Sequence, residues 1–366
     1  MMANYIKGIK RIIKKSVFGG IATRIGDIYS DPKSLALFRF RFAKNDSAIL
    51  IGTPAHHNIG DHLLADNGIK FLHEKCGFSH VYEIPTRVYQ HNRDFLKRVI
   101  SSGIPIFITG GGWMGDIWTE DQEIIENIIS DFRDNKIIIL PQTVYYKDIN
   151  NPRIERTKEI FSKGRSLTIF CRENNSFSIA KKLFENVNTN VYLAPDLGLY
   201  RFHDINSPKK GIGICLRNDR EKITNDKAKE ILSEYALSLG IPLVELSTIN
   251  INPIPLWKRK IIISKLVKRF SEFDVVVTDR LHGMIFSVVS GTKCIALDNK
   301  THKVKGVYET WLSTCNVVKL VEDITALSLE AIEPEINQNL DDIMQLREEL
   351  NASFEIMARC IRTIVT

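Results

Sequence analysis

Short runs of β-branched and aliphatic residues alternate along the chain with longer stretches whose apolar positions recur every three to four residues. The runs Ala48–Gly52, Ile104–Thr109, Lys136–Leu140, Leu167–Cys171 and Asn190–Leu193 predict buried strands. Between them, Asp61–Glu74, Asp121–Asp134, Asn151–Lys163 and Asn174–Phe184 predict amphipathic helices. Such alternation is the pattern of βαβ units on a mostly parallel sheet. The polar stretch His203 to Lys210, which contains Asn206-Ser207-Pro208, reads as a linker. A second series follows: strand Gly211–Leu216, helix Asp226–Leu239, strand Pro242–Leu246, helix Trp257–Phe270 and strand Phe273–Val277. It continues with helix Leu281–Ser290 and strands Lys293–Leu297 and Asn316–Leu320. Leu340 to Ile364 predicts a long amphipathic helix able to fold back across both halves.

The expected fold is therefore α/β, with two Rossmann-like domains facing across a cleft and ligands at the carboxyl ends of the strands. At 366 residues the chain exceeds what one core usually serves, which agrees with two domains. The expected division is a basic amphipathic segment at 1–26, an N-terminal domain at 27–205, a C-terminal domain at 206–325 and a helical segment at 326–366. No internal repeat is visible.

Composition changes this picture little. With 44% apolar and 25% charged residues, the chain is ordinary for a globular protein, and no apolar run is long enough to span a bilayer. The net charge of +7 comes almost entirely from Lys7, Lys10, Arg11, Lys14, Lys15 and Arg24, which all precede the first acid, Asp27. The body is thus near neutrality, and no nucleic-acid partner is expected. On a helical projection Ile6, Ile9, Ile12, Ile13 and Val17 share one arc and the lysines the opposite one. Residues 5–18 therefore either touch an anionic membrane surface or pack on the body with a solvated basic face. Lysines interrupt the apolar residues, so a secretory signal is not expected. The expected location is cytoplasmic, with peripheral contact at the inner face of the cell membrane. Six scattered cysteines with no CxxC pair argue for a reducing compartment and against a zinc or disulfide framework.

Candidate chemistry gathers where predicted strands end. Phe273–Val277 runs through Thr278 into Asp279-Arg280-Leu281-His282-Gly283, and a helical pattern follows at once. Strand, polar turn and helix N-terminus make an anion site, to which an Arg adds a fixed cation and a His a titratable proton. Equally, Asp279 can cap the helix while Arg280 pairs with a surface acid. In Asn58-Ile59-Gly60-Asp61, Asn58 and Gly60 suit a turn and Asp61 suits an N-cap or a carboxylate facing the cleft. His56, His57 and His62 lack the companions a metal site needs, and no metal is expected. Gly110-Gly111-Gly112 allows close backbone approach to a ligand, or serves a purely steric turn. Leu140-Pro141-Gln142-Thr143, Cys171-Arg172-Glu173 and Ala194-Pro195-Asp196 end three further strands. Arg172 is placed to close on a carboxylate or phosphate, or to pair with Glu173 or a helix acid.

Taken in order, these motifs resemble the polysaccharide pyruvyl transferase family over roughly residues 45–300. The resemblance implies a GT-B-like fold and transfer of pyruvate from phosphoenolpyruvate to hydroxyls of a cell-surface glycan or its lipid-linked precursor, forming a ketal and releasing phosphate. It matches Arg172, Arg280, Leu281 and His282 to the phosphoenolpyruvate site and Asp61 to the Gly-Asp turn. It implies no cofactor beyond this co-substrate. His282 is the candidate general acid or a ligand to the departing phosphate. Asp61 or Asp116 is placed to deprotonate an acceptor hydroxyl or to hydrogen-bond the sugar. Further acceptor or loop contacts are expected from Asn58, Gly60, Gly111, Gly112 and Gln142. Trp113 and Trp118 either stack on a sugar or fill the core, and His56 and His57 stay outside the catalytic set. Two other readings share the scaffold: a GT-B glycosyltransferase using a nucleotide sugar, and a non-catalytic glycan- or anion-binding protein.

Overall fold

The computed structural model describes residues 46–203, 207–219, 221–222, 227–322 and 340–366. The basic segment at 1–26 and the centre of the linker at 204–206 lie outside these residues. In chain order the first half runs β1 (Ser47–Thr53), α1 (Ile59–Glu74), β2 (His80–Pro85), α2 (Thr86–Val99), β3 (Ile106–Ile108) and β4 (Gly111–Gly115). It continues α3 (Thr119–Asp131), β5 (Lys136–Tyr145), α4 (Pro152–Ser162), β6 (Ser166–Cys171), α5 (Asn174–Leu183) and β7 (Thr189–Leu193). These strands form one sheet in the order β2-β1-β3-β5-β6-β7, with β4 on the far half of β5, and every pairing is parallel. A sheet buried on both faces calls for continuous apolar strands, as β1 and the first half of β5 supply.

The second half contains β8 (Ile212–Cys215), α6 (Lys227–Ser238), β9 (Leu243–Glu245), α7 (Arg259–Ser271), β10 (Val275–Thr278) and α8 (Leu281–Val289). Then come β11 (Lys293–Leu297), α9 (Lys303–Val307), β12 (Val318–Val321) and α10 (Leu340–Val365). Its sheet is ordered β12-β11-β10-β8-β9 and is again wholly parallel. Strand order reverses between β1 and β3 in one sheet and between β8 and β10 in the other. At such switch points the loops leaving neighbouring strands part and open a crevice. The two crevices face each other, and the fold is α/β with two Rossmann-like sheets across a cleft, a GT-B-like arrangement.

Four sequence expectations need correction. β2 and α2 have no counterpart among the predicted elements, because β2 is an edge strand and α2 buries only Val88, Tyr89 and Leu96. β5 does not end at Leu140 but runs through Pro141-Gln142-Thr143 to Tyr145, with a register shift after Ile139. The glycine run continues into a strand, β4, rather than an open loop. Finally, Asn58 is the residue that caps α1, accepting from Gly60 N at 3.0 Å, and Asp61 lies in the first turn.

The halves share one core. α1 packs on α7, and the apolar cluster holding Leu63, Phe71, Val267, Phe270 and Phe286 runs from one sheet to the other. α10 adds Leu346, Phe354 and Ile361 to the same cluster, and Phe354 packs against Phe71 and Tyr200 at ring distances of 6.0 and 5.2 Å. The loop before α1 is stitched to the second half by Ile59 N to Thr248 O at 2.8 Å, Asn250 N to His57 O at 2.8 Å and Ile254 N to His56 O at 3.3 Å. Beneath this seam Arg259 of α7 donates to Glu83 at 2.5 Å and to His62 Nδ1 at 3.1 Å, all three buried. Burial and the neighbouring Arg259 push His62 down to about 4, so its neutral ring accepts from Arg259 and donates from Nε2 to His56 O. His62 is thus structural. Replacing Arg259 with Met strands the Glu83 carboxylate in the interface. We expect a loss of about 3–5 kcal/mol in urea unfolding, and a loss below 1 kcal/mol would show that the pair carries little.

Candidate active site

Each residue of Asp279-Arg280-Leu281-His282-Gly283 has a separate task. Asp279 is fully buried and accepts Arg217 N at 2.7 Å, so it ties the loop after β8 to the end of β10 and does not cap α8. Thr278 Oγ1 donates to Cys215 O at 2.7 Å and accepts Arg280 N at 3.1 Å. A Cβ on Gly283 would lie 2.2 Å from that hydroxyl, so only glycine fits. Leu281 buries its side chain in the shared core. Arg280 is the cap residue but makes no side-chain cap bond. The N–H groups of Leu281, His282 and Gly283 consequently have no acceptor among the described residues, and the positive end of α8 opens on the cleft.

Arg280 itself is loosely held. Its nearest carboxylate, Asp219, is 3.9 Å away, and Nε reaches Leu216 O at 3.4 Å. Arg172 is the opposite case, only 1% exposed, with Nε on Thr143 Oγ1 at 2.8 Å and Nη1 on Asp196 at 2.7 Å. Three strand-end motifs are thereby joined in one network. Glu173 takes no part; its carboxylate caps α5 by accepting Ser176 N at 3.0 Å. The Nη2 of Arg172 points toward Gly112, where an added Cβ would sit 3.2 Å from it and 3.7 Å from Lys303 Nζ. Gly112 is thus the glycine of its run that keeps space open in front of two cations.

The other cations were not foreseen from the sequence. Arg217 follows β8 and Lys303 opens α9 after β11. Both meet Glu221, at 3.1 Å from Arg217 and 2.6 Å from Lys303. Trp118 Nε1 and Thr301 Oγ1 each donate to the same carboxylate at 3.2 Å. Burial alone would raise Glu221, but Lys303 and Arg217 outweigh it and hold the carboxyl down at about 2. For Lys303 burial wins over the pull of Glu221, with Arg217 and Arg172 acting in the same sense, and the amine falls to about 8.

His282 lies between these groups and Asp61. Its Nδ1 is 4.0 Å from Asp61 Oδ1, and Nε2 is buried with no hydrogen-bond partner. Burial pushes the imidazole below its ordinary range; Arg172 and Lys303 act in the same direction, and Asp196 and Asp61 oppose it. Asp61 also faces His56 Nε2 at 3.5 Å, while His56 Nδ1 accepts Asn58 N at 3.2 Å, which leaves the proton on Nε2. The cleft encloses about 690 Å³, with Arg172, Arg280, Lys303 and His282 on one side. Trp113, Arg87 and His91 line another part, and Asp121 is there too, its carboxyl raised by burial and by Asp61.

Of the residues proposed from sequence, Asn58, Asp61, Gly112, Arg172, Arg280, Leu281 and His282 line this cleft, and Gly60 packs against His282. Asp116 does not; it accepts Lys147 N at 2.9 Å, holding a neighbouring loop, and is removed as a candidate base. Gln142 is buried in β5 and donates to Thr109 O at 2.7 Å, so it is no acceptor contact. Gly111 is set against the Trp113 ring rather than the cleft. Trp118 lines the cleft while its Nε1 donates to Glu221, and His56, left aside in sequence, is brought to Asp61. Cys215 and Cys294 are buried, their thiols raised by burial to about 11 and 12.

Two Rossmann-like sheets with a cationic cleft where their crevices face make a GT-B-like scaffold. The chain belongs to the polysaccharide pyruvyl transferase family, whose sequence pattern matches residues 58–301. It is 28% identical over 287 residues to General stress protein 30 of Bacillus subtilis (strain 168), covering 77% of this chain and 82% of that one. To Pyruvyl transferase 1 of Schizosaccharomyces pombe (strain 972 / ATCC 24843) it is 24% identical over 328 residues, covering 80% and 78%. Among solved structures, the uncharacterized protein KP1_0663 from Klebsiella pneumoniae subsp. pneumoniae NTUH-K2044 shares the fold, with a TM-score of 0.51 and 21% identity over 79% of this chain and 96% of that one. The protein is accordingly a transferase, and a glycan is the acceptor its family implies.

The Gly60–His282 contact gives the sharpest test of this geometry. A Cβ at residue 60 would fall 2.1 Å from His282 Nδ1. Gly60→Ala must therefore push α8 away or turn the imidazole, at a cost of about 1–3 kcal/mol in chemical unfolding. A variant as stable as the parent would mean that the two helix ends do not meet.

Proposed function

We propose that this chain transfers pyruvate from phosphoenolpyruvate to two hydroxyls of a glycan or its lipid-linked precursor, forming a ketal and releasing phosphate. What carries this reading is the convergence of Arg172, Arg280, Lys303 and the open N-terminus of α8 around His282. Phosphoenolpyruvate sets a carboxylate and a phosphate on one carbon, so it asks for several cations in one confined place. Arg280, the least committed of them, and Nη2 of Arg172 take one anionic group, and Lys303 with the N–H groups of α8 takes the other.

The first chemical step adds a proton to the enol methylene and leaves the adjacent carbon oxocarbenium-like. Before substrate binds, burial keeps His282 neutral at pH 7. A bound dianion adds negative charge beside the ring, raises its proton affinity and loads it as general acid. An acceptor hydroxyl then attacks that carbon, giving its proton to Asp61, with His56 Nε2 3.5 Å from that carboxylate. The bond to the phosphate oxygen breaks, a second hydroxyl closes the ring, and its proton leaves with phosphate as hydrogen phosphate. Two hydroxyl protons are lost, one balanced by the new methyl group and one by the phosphate.

Incubating the purified chain with phosphoenolpyruvate and a panel of glycans should release phosphate and add the mass of a pyruvate ketal to one of them. Release of nucleotide from a sugar nucleotide instead would assign the cleft to glycosyl transfer. His282→Ala should lower kcat about 10²- to 10⁴-fold, and pyruvylation undiminished in this variant and in Arg280→Ala would overturn the site. The pH profile has a defined sign. Lys303 is charged below about 8 and neutral above it, so the KM for phosphoenolpyruvate should rise as pH climbs through that value. Lys303→Arg, which stays charged, should move this rise to higher pH.

A further inference from the structure

The segment between Glu245 and Glu272 contains no acid and carries Lys258, Arg259, Lys260, Lys265, Lys268 and Arg269. Its local charge is hidden in the near-neutral total of the body. Arg259 is consumed by Glu83, and Arg269 pairs with Glu272 at 2.6 Å. The four lysines pair with no acid among the described residues. Large apolar side chains stand among them in solvent: Ile251 is 92% exposed, Trp257 59% and Ile261 55%. On α7 and the turn before it, Ile263, Val267 and Phe270 face the core, while Trp257, Ile261, Lys265 and Lys268 follow one another at helical spacing on the outer side. Lys258 lies over the Trp257 ring at 4.7 Å. An exposed indole and two exposed isoleucines on a segment rich in unpaired lysines match the interface of an anionic bilayer, where apolar groups enter the acyl boundary and the ammonium groups reach phosphates.

This face is fixed to the cleft. Thr248 and Ile249 line it, Asn250 N and Ile254 N are bonded to His57 O and His56 O, and Ile249 pairs with Asn58. The exposed tip at Ile251 therefore sits on the rim beside the residues that face Asp61. Packing on a body would bury Trp257 and Ile261 as it buries Ile263, and an acidic protein partner would leave a fully projecting isoleucine without a use. We infer that residues 249–268 dock this protein on an anionic lipid surface and hold the mouth of the cleft against it. The second half of this statement gains its purpose from a lipid-linked acceptor and so rests on the proposed function; the docking itself does not.

The test is co-sedimentation of the full chain with phosphatidylcholine vesicles, with and without phosphatidylglycerol, a readout independent of turnover. It is run on the native sequence and on a full-length background in which Lys7, Lys10, Lys14 and Lys15 are changed to Gln. In both, binding should require phosphatidylglycerol. Ile251→Ser with Trp257→Ser should reduce it by roughly tenfold or more, as should Lys260→Glu with Lys265→Glu, with unfolding midpoints and activity on a soluble acceptor unchanged. Vesicle binding that survives both double variants, or that vanishes entirely in the Gln background, overturns the inference. So does a native chain that ignores anionic vesicles but self-associates through Trp257, which would assign the face to a second copy.

Discussion

Two helix N-termini meet at this site with nothing but a missing side chain to let them. Gly60 is the second residue of α1 and His282 the second of α8, and the ring of one occupies the space a Cβ of the other would fill. The positive ends of two helices are brought together, an arrangement that repels unless negative charge is supplied between them. Asp61 in the first turn of α1 supplies part of it, and Asp196 and Asp279 stand close by. The protein thus holds an electrostatic demand that its own carboxylates meet only in part. The same contact explains why His282 is buried and pressed toward neutrality. Its environment is set by the closeness of two halves rather than by any residue next to it in sequence.

Glu221 does for the cations what Gly60 does for the helices. Without it Arg217 and Lys303 would repel each other in a confined, half-dry space, and with it both are held in defined positions along with the indole N–H of Trp118 from the opposite half. Asp196 plays the same part for Arg172. Each deep cation is therefore oriented by carboxylates, Arg217 by Asp219 as well as Glu221, and Arg280 is the one held most loosely.

The architecture was legible because buried parallel strands and amphipathic helices leave different apolar periods, and the elements they predict fall within a few residues of those observed. What escaped were weakly apolar elements at the edge: β2, with its exposed start at His80, and α2, whose face toward the cleft is polar. The site was legible where polar residues ended a strongly apolar strand, as for Arg172, Arg280 and His282. It failed for Arg217, whose turn lacks the glycine and histidine that draw notice, and for Lys303, which comes well past the end of β11 rather than at it. It failed differently for Asp116 and Gln142, whose side chains satisfy backbone groups nearby. No pattern in the sequence tells a carboxylate that faces a cleft from one that closes a loop, because the difference lies in what the rest of the fold brings near it.

The helix at 340–365 is the roof of a core that belongs to both sheets. Phe354 closes the aromatic group of Phe71 and Tyr200, Lys136 Nζ reaches Val365 O at 3.0 Å, and Asn316 of the second half holds Asp342 at 2.9 Å. A chain made from its N-terminus forward completes both sheets before these residues exist. Through that interval the apolar ground around Phe71 and Tyr200 stands open to water. The cleft stands on the core that both sheets share, so the helix at 340–365 supports its shape from behind.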